Sequence, residues 1–194
     1  MPLCDKISDG FDICANDPIA QGVDDVLYLF NMGDFTFTFD SGNPLLITAI
    51  TRVGTSLMYK YLGTNNSFNT ISKSVRTSVG SRYTEEIDFN IAGISSDIKT
   101  QIQAMGNANL QAIAVNNYRD GDSIFELFGC VNGLMDDGSE RNASDDNFGG
   151  GYNMKLTNRP KLREPMLPRC VSIGSPGTYA LTLAALEALC IPAA

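Results

Sequence analysis

The chain carries twenty-two carboxylates and five cysteines but no histidine, and these counts bound its chemistry. Without imidazole there is no histidine general base, no Ser-His-Asp or Cys-His nucleophile pair, and none of the usual catalytic zinc sites. The cysteines stand at 4, 14, 130, 170 and 190, an odd count with no C-x-x-C spacing. Neither a zinc ribbon nor a thioredoxin-type motif is present. Free, mostly buried thiols in a reducing compartment are the expectation, although Cys4 and Cys14 lie close enough in sequence to be joined.

The densest run of carboxylates is LMDDGSERNASDDNFGGGY, residues 134–152. An EF-hand needs acids at fixed alternate positions, a central glycine and a terminal glutamate. This segment lacks that order, and calcium held by Asp136, Asp137, Asp145 and Asp146 as two clusters is the lesser alternative. Asn142 and Asn65 each begin a glycosylation sequon. The first eleven residues contain Asp5 and Asp9 and no apolar run, so no secretory signal is expected and both sequons are read as chance. The segment is read instead as the charged, solvent-facing tip of a hairpin, with Gly149, Gly150 and Gly151 as its hinge.

Other acid pairs, Asp24-Asp25 and Glu85-Glu86, are adjacent along strands and point to opposite faces, so neither forms a shared acid/base site. No P-loop, G-x-G-x-x-G or G-x-S-x-G occurs, and SIGSPG at 172–177 is a plain Ser/Gly turn. An enzyme is not expected, nor a catalytic residue, a metal site or a cofactor. Lys plus Arg number 14 against 22 acids, a net charge of -8, which argues against binding nucleic acid through clustered cations. With 43% apolar residues over 194 positions, one globular domain with a real core is expected. No stretch approaches the roughly 20 apolar residues of a membrane span.

Hydrophobic periodicity supplies the elements. Residues 1–25 read as an extended arm with Leu3, Ile7, Phe11, Ile13 and Ile19 as anchors. VLYLF at 26–30 is a continuous apolar run of strand length, and FTFTF at 35–39 alternates strictly. LLITAITRV (45–53) and SLMYKYL (56–62) are expected to pair as a hairpin near Gly54. Residues 63–82, polar and free of acids, read as a long connection, of the kind that is usually functional. In YTEEIDFNI (83–91), Tyr83, Glu85, Ile87, Phe89 and Ile91 share one face; Thr84, Glu86, Asp88 and Asn90 share the other.

A helix is predicted over about 94–105. Ser95 or Ser96 caps it, Ile94, Ile98, Ile102 and Met105 form a core stripe, and Gly106 ends it. Residues 110–118 and 123–131 form a hairpin around RDGD, and GYNMKLT (151–157) turns Tyr152, Met154 and Leu156 inward. Prolines 160, 165 and 168 mark an extended connector or edge segment. YALTLAALEALC, within a C-terminal extension at 176–194, has the composition of a short helix that packs on a partner. The whole is mainly β with one packed α-helix, a β-sandwich or open barrel over 26–175.

In content and order, four segments resemble the tail tube proteins of tailed bacteriophages, in a version associated with phages of Bacteroidota-type hosts. They are PLCDKISDGFDICANDPIAQGVDDVLYLFN, YTEEIDFNI with the helix that follows, FELFGCVNGL, and GYNMKLTNRPKLREPMLPR. The likeness implies a virion structural protein, assembled in the host cytoplasm and resident in the tail. Six copies form a ring, hairpins from all six close an inner β-barrel, and stacked rings conduct DNA without binding it specifically. Closure would remove exposed strand edges, and an acidic lining would repel phosphate.

The resemblance makes Glu86 and Asp88, with Glu126 beside them, candidates for the lumen. Lys73, Arg76 and Arg82 on the basic segment and Asp136, Asp137, Glu140, Arg141, Asp145 and Asp146 on the acidic one become candidates for contacts between subunits or rings. Leu3, Ile7, Phe11 and Ile13 would anchor the arm on a neighbour. The partners are then further copies of the chain and other tail proteins, with no membrane. Two alternatives stand beside this one. Another ring-forming tail component, a terminator or baseplate hub, would share the fold, and a monomeric acidic β-sandwich would use the 136–146 tip for calcium or carbohydrate.

Overall fold

A computed structural model describes residues 22–63, 67–78, 80–117, 122–141, 143, 150–159, 161–174 and 178–192. Among these residues the chain forms β1 (Val23–Asn31), β2 (Phe35–Phe39), β3 (Leu46–Arg52), β4 (Tyr59–Leu62), β5 (Phe68–Thr77) and β6 (Gly80–Ile91). Helix α1 (Ser96–Asn107) follows, then β7 (Leu110–Asn116), β8 (Phe125–Phe128), β9 (Met135–Asp136), β10 (Glu140–Arg141), β11 (Tyr152–Thr157), β12 (Arg169–Val171) and helix α2 (Tyr179–Leu189). One sheet has the order β2-β3-β12-β8-β7-β1-β4 and the other β10-β11-β6-β5, with β9 also paired to β11. The mainly-β class and the two-sheet arrangement agree with the sequence, and α2 is the short helix expected within the C-terminal extension.

The continuous apolar run in β1 has a direct cause. Leu27 and Leu29 enter the core between the sheets, while Tyr28 and Phe30 enter a second core on the opposite face of the seven-stranded sheet. A strand covered on both faces must be apolar at every position. The first core holds Ile87 and Phe89 of β6, Met154 and Leu156 of β11, Ala112 and Ala114 of β7, and Met105 of α1. The second is capped by α2 through Leu186, with Tyr179, Leu183 and Leu189 packed around it. Helix α2 therefore packs on its own chain through this face. The Arg52 guanidinium donates to the carbonyls of Ala188, Leu189 and Ile191 and so satisfies the end of α2. Lys60 reaches Glu187 at 2.7 Å from β4.

Four expectations are corrected. The segment 63–82 is not a long connection: β5 pairs with β6 along its whole length, from Phe68↔Phe89 to Thr77↔Gly80. Its Thr, Ser, Val and Ile content suits a strand solvated on both faces, a pattern without the usual polar/apolar alternation. Strands β3 and β4 do not form a hairpin, for β4 lies on the opposite edge beside β1. The chain between them threads beneath α2, where Met58 is fully buried and its N–H donates to the Leu189 carbonyl. Helix α1 begins at the Ser95 cap as expected, but it runs past Gly106 and closes at Ala108, and Ile94 is 52% exposed ahead of the cap. Finally, of connector and edge segment only the connector holds, for the described residues between β11 and β12. Strand β12 lies inside the sheet, parallel to β3 and antiparallel to β8, and Pro165 and Pro168 precede it where no ladder donor is lost.

The turn after β8, Gly129–Gly133, takes both terminal glycines into the left-handed region, with φ of 69° and 72°. A Cβ on Gly133 would stand 2.1 Å from the Asn109 side chain and one on Gly129 2.9 Å from Leu134. Gly133→Ala combines that clash with backbone strain, so it is expected to cost about 1–3 kcal/mol. A fall in the urea midpoint without change in the denaturant slope checks this.

Candidate functional site

The smaller sheet presents one face to the core and one outward. Because side chains alternate along a strand, the register of the sheet places Asn69, Ile71, Lys73 and Val75 of β5 on the outward face beside Asp88, Glu86, Thr84 and Arg82 of β6. Asn153, Lys155 and Thr157 of β11 continue it, with Glu140 opposite Asn153. The face assignment made from sequence for Glu86 and Asp88 agrees with this register. Lys155 stands 3.1 Å from Glu86. Burial raises the Asp88 carboxyl above its usual range and Glu86 adds to this, while Lys155 and the Asn69 side chain act in the opposite sense. Three carboxylates (Glu86, Asp88, Glu140) and three cations (Lys73, Arg82, Lys155) thus share the face, so its charge is mixed rather than uniformly acidic.

Glu126 does not join them. It lies on β8 in the other sheet, opposite Ala114 and two residues from Phe128, both of the inter-sheet core. There it is half-buried and lines a cleft of about 330 Å³ with Val23, Asn69, Thr70 and Asn116. Burial raises its carboxyl, and a hydrogen bond from the Asn116 side chain acts the other way.

The two edges of the smaller sheet differ in sign. At one, β5 has no outer neighbour among the described residues and carries Lys73 and Arg76. No side chain described between Ser72 and Ser81 is buried, so this end of the hairpin stands clear of the sandwich on both faces. At the other edge lie Asp136 of β9, Asp137 and Glu140 of β10. In its described part, 136–141, this acidic stretch is a broken edge strand paired to β11 rather than a tip, and Asp145 and Asp146 fall outside the described residues. Both β9 and β10 pair with β11, and the Asp136 carboxylate takes the N–H and hydroxyl of Ser139 to shape the bulge between them. Arg141 lies over the Tyr152 ring and donates to the Gly150 carbonyl. Among the described residues, Lys73 and Arg76 of β5 are therefore separated from Asp136, Asp137 and Glu140 by β6 and β11 and do not meet them within one chain. Asp145, Asp146, both sequon asparagines (Asn65 and Asn142), Cys4, Cys14 and the arm anchors Leu3, Ile7, Phe11 and Ile13 lie outside the described residues. Among the described residues, no three His, Cys, Asp or Glu side chains gather as a metal-ligand set.

Where β6 leaves the sandwich, two fully buried carboxylates hold the turn after β8. Glu85 accepts the Gly129 N–H at 2.6 Å, and Glu164 accepts those of Val131 and Asn132. Asn158 locks the same place, accepting from the Glu85 N–H and donating to the Gly133 carbonyl. Burial pushes the Glu85 carboxyl up to about 8. The Gly129 N–H lowers it, Glu164 raises it and Arg169 lowers it. Burial likewise raises Glu164 against its two backbone donors and Arg169. Arg169 is itself buried, over the Phe39 ring. Glu85 was recognisable in sequence as the acid on an apolar face, whereas nothing in the proline-rich connector marked Glu164. Cys130, Cys170 and Cys190 are free thiols. Burial raises Cys130 and Cys170 to about 11, which keeps them from thiolate chemistry.

The chain matches no family model, no curated protein and no solved structure.

The raised carboxyl of Glu85 has a defined sign in stability. The folded chain keeps a proton that the unfolded chain, with an ordinary value of 4.5, releases. Stability is therefore greatest at low pH within that window and falls as pH rises from about 4.5 to about 8. Raising the pH from about 5 to about 8 is expected to lower Tm by several degrees, or about 1–3 kcal/mol. Glu85→Gln, which keeps an acceptor for Gly129, is expected to flatten the profile measured by thermal denaturation.

Proposed function

We propose that the chain is a structural subunit that assembles with copies of itself into stacked rings, as the major tube protein of a phage tail does. The observation that carries the reading is the β5–β6 hairpin. It stands clear of the sandwich, its β5 edge is unpaired among the described residues, and the far edge of the same sheet is acidic where β5 is basic. Adding the acidic edge of one copy to the basic edge of the next continues a sheet from subunit to subunit, with main-chain hydrogen bonds for affinity and side-chain charge for register. Repeated with a constant rotation, a head-to-tail contact closes a ring.

In such a ring the outward face of the sheet would line the channel, and Glu86 and Asp88 would face passing DNA. Lys155 and Lys73 would temper the repulsion there, while Glu126 would stay within the wall. Cations on an edge strand also protect monomers from aggregation, and the two uses differ in what charge reversal does. In a monomer it changes nothing beyond solubility. In a ring it breaks one contact, and reversing the opposite edge restores it.

Negative-stain microscopy of the purified chain is expected to show rings or tubes. Lys73→Glu with Arg76→Glu should abolish them, and adding Asp137→Lys with Glu140→Lys should restore them. A monodisperse particle from the unaltered chain would sink the reading.

A further inference from the structure

At the root of the β5–β6 hairpin a cleft of about 320 Å³ is lined by Arg82, Lys161 and Arg163, with Val131 and Leu162 among its walls and, among the described residues, no carboxylate. Among the described residues none of the three cations has an ion pair or side-chain hydrogen bond. The single acid of this stretch, Glu164, is not among the residues that line the cleft. It is fully buried, and its oxygens are taken by the Val131 and Asn132 N–H groups.

The frame beneath the cations is fixed. Tyr83 and Glu164 exchange two backbone hydrogen bonds of 2.9 Å, which ties the residue after Arg82 to the residue after Arg163. The Asn132 side chain donates to the Arg163 carbonyl at 3.0 Å. Arg82 and Arg163 are half-buried and Lys161 is exposed, so three like charges line one small cleft and repel one another there. An oxyanion removes that repulsion. Two guanidinium forks suit its geometry better than point charges would. Distant acids are screened beyond roughly 8 Å at physiological salt, so the local cations set the potential.

We propose that this cleft binds a phosphate group, supplied either as the free ion or by a nucleic-acid strand. The proposal does not depend on ring assembly, because every lining residue comes from one chain. At constant ionic strength, inorganic phosphate at about ten times its Kd should raise Tm by roughly 3–6 °C. Sodium chloride at the same ionic strength should not. Phosphate should also shift the amide resonances of Val131, Asn132 and residues 161–165. Lys161→Gln with Arg163→Gln should weaken phosphate at least about tenfold, and Arg82→Gln serves as a second variant if that pair lowers folding. A short single-stranded DNA that acts well below the phosphate concentration identifies the strand as the source, and equal potency per phosphate identifies the free ion. No shift with phosphate, an equal shift with chloride, or an undiminished shift in a folded variant overturns the proposal.

Discussion

The fold turns on two buried carboxylates that hold one turn. Glu85 and Glu164 together accept the N–H groups of Gly129, Val131 and Asn132, which no strand or helix could satisfy. A buried backbone donor left unpaired costs as much as a lost hydrogen bond or more, so the turn holds its shape only while both acids are in place. Through Asn158 the same turn is joined to the end of β11. Through the Tyr83–Glu164 bridge it is joined to β6. The root of the hairpin, the passage from β8 to β9 and the proline-rich connector therefore share one polar junction. Glu85 is held there by a short hydrogen bond at the cost of a carboxyl that favours its proton, and Arg169 offsets part of that cost without closing an ion pair.

That junction gives the rest of the small sheet its mechanical character. At Phe68 the hairpin is backed by the inter-sheet core, and among the described residues the distal part of β5 is held by its ladder to β6. An isolated two-stranded ribbon is marginal in water. The distal ladder persists because its base cannot splay. On one side Phe68 and Phe89 stack at 6.1 Å, and on the other the Tyr83 bridge fixes β6. A rigid base under an exposed edge suits a surface that must meet another copy in one register.

Much of this was legible from the residues and some was not, for physical reasons. Alternation in YTEEIDFNI and GYNMKLT gave the correct inward faces because each strand has one dry side. VLYLF was a strand for the opposite reason, with both its faces covered. The polar stretch at 63–82 misled because a strand solvated on both faces loses the alternation that marks strands, and only its pairing with β6 defines it. The partner of β4 could not be read locally, since it is set by Met58 passing under α2, a contact spanning most of the chain. Glu126 looked like Glu86 in sequence, yet it stands in the other sheet, turned inward. The acids at 136–140 were found, but their place on an edge depends on β11, which follows them.

The signs of the two edges bear on symmetry. Pairing two copies through the same β5 edge would set Lys73 and Arg76 against their own equivalents, and like charges across a ladder are destabilising. It would also leave both acidic edges unpaired, so a closed twofold dimer solves neither the charge nor the edge problem. Joining unlike edges solves both at once, but it leaves one free edge of each kind until the chain of copies closes on itself. In the proposed assembly, the ring is the smallest object in which every edge of the small sheet is covered. Its size follows from the angle between neighbouring sheets, which strand twist and tilt set, rather than from any single side-chain contact.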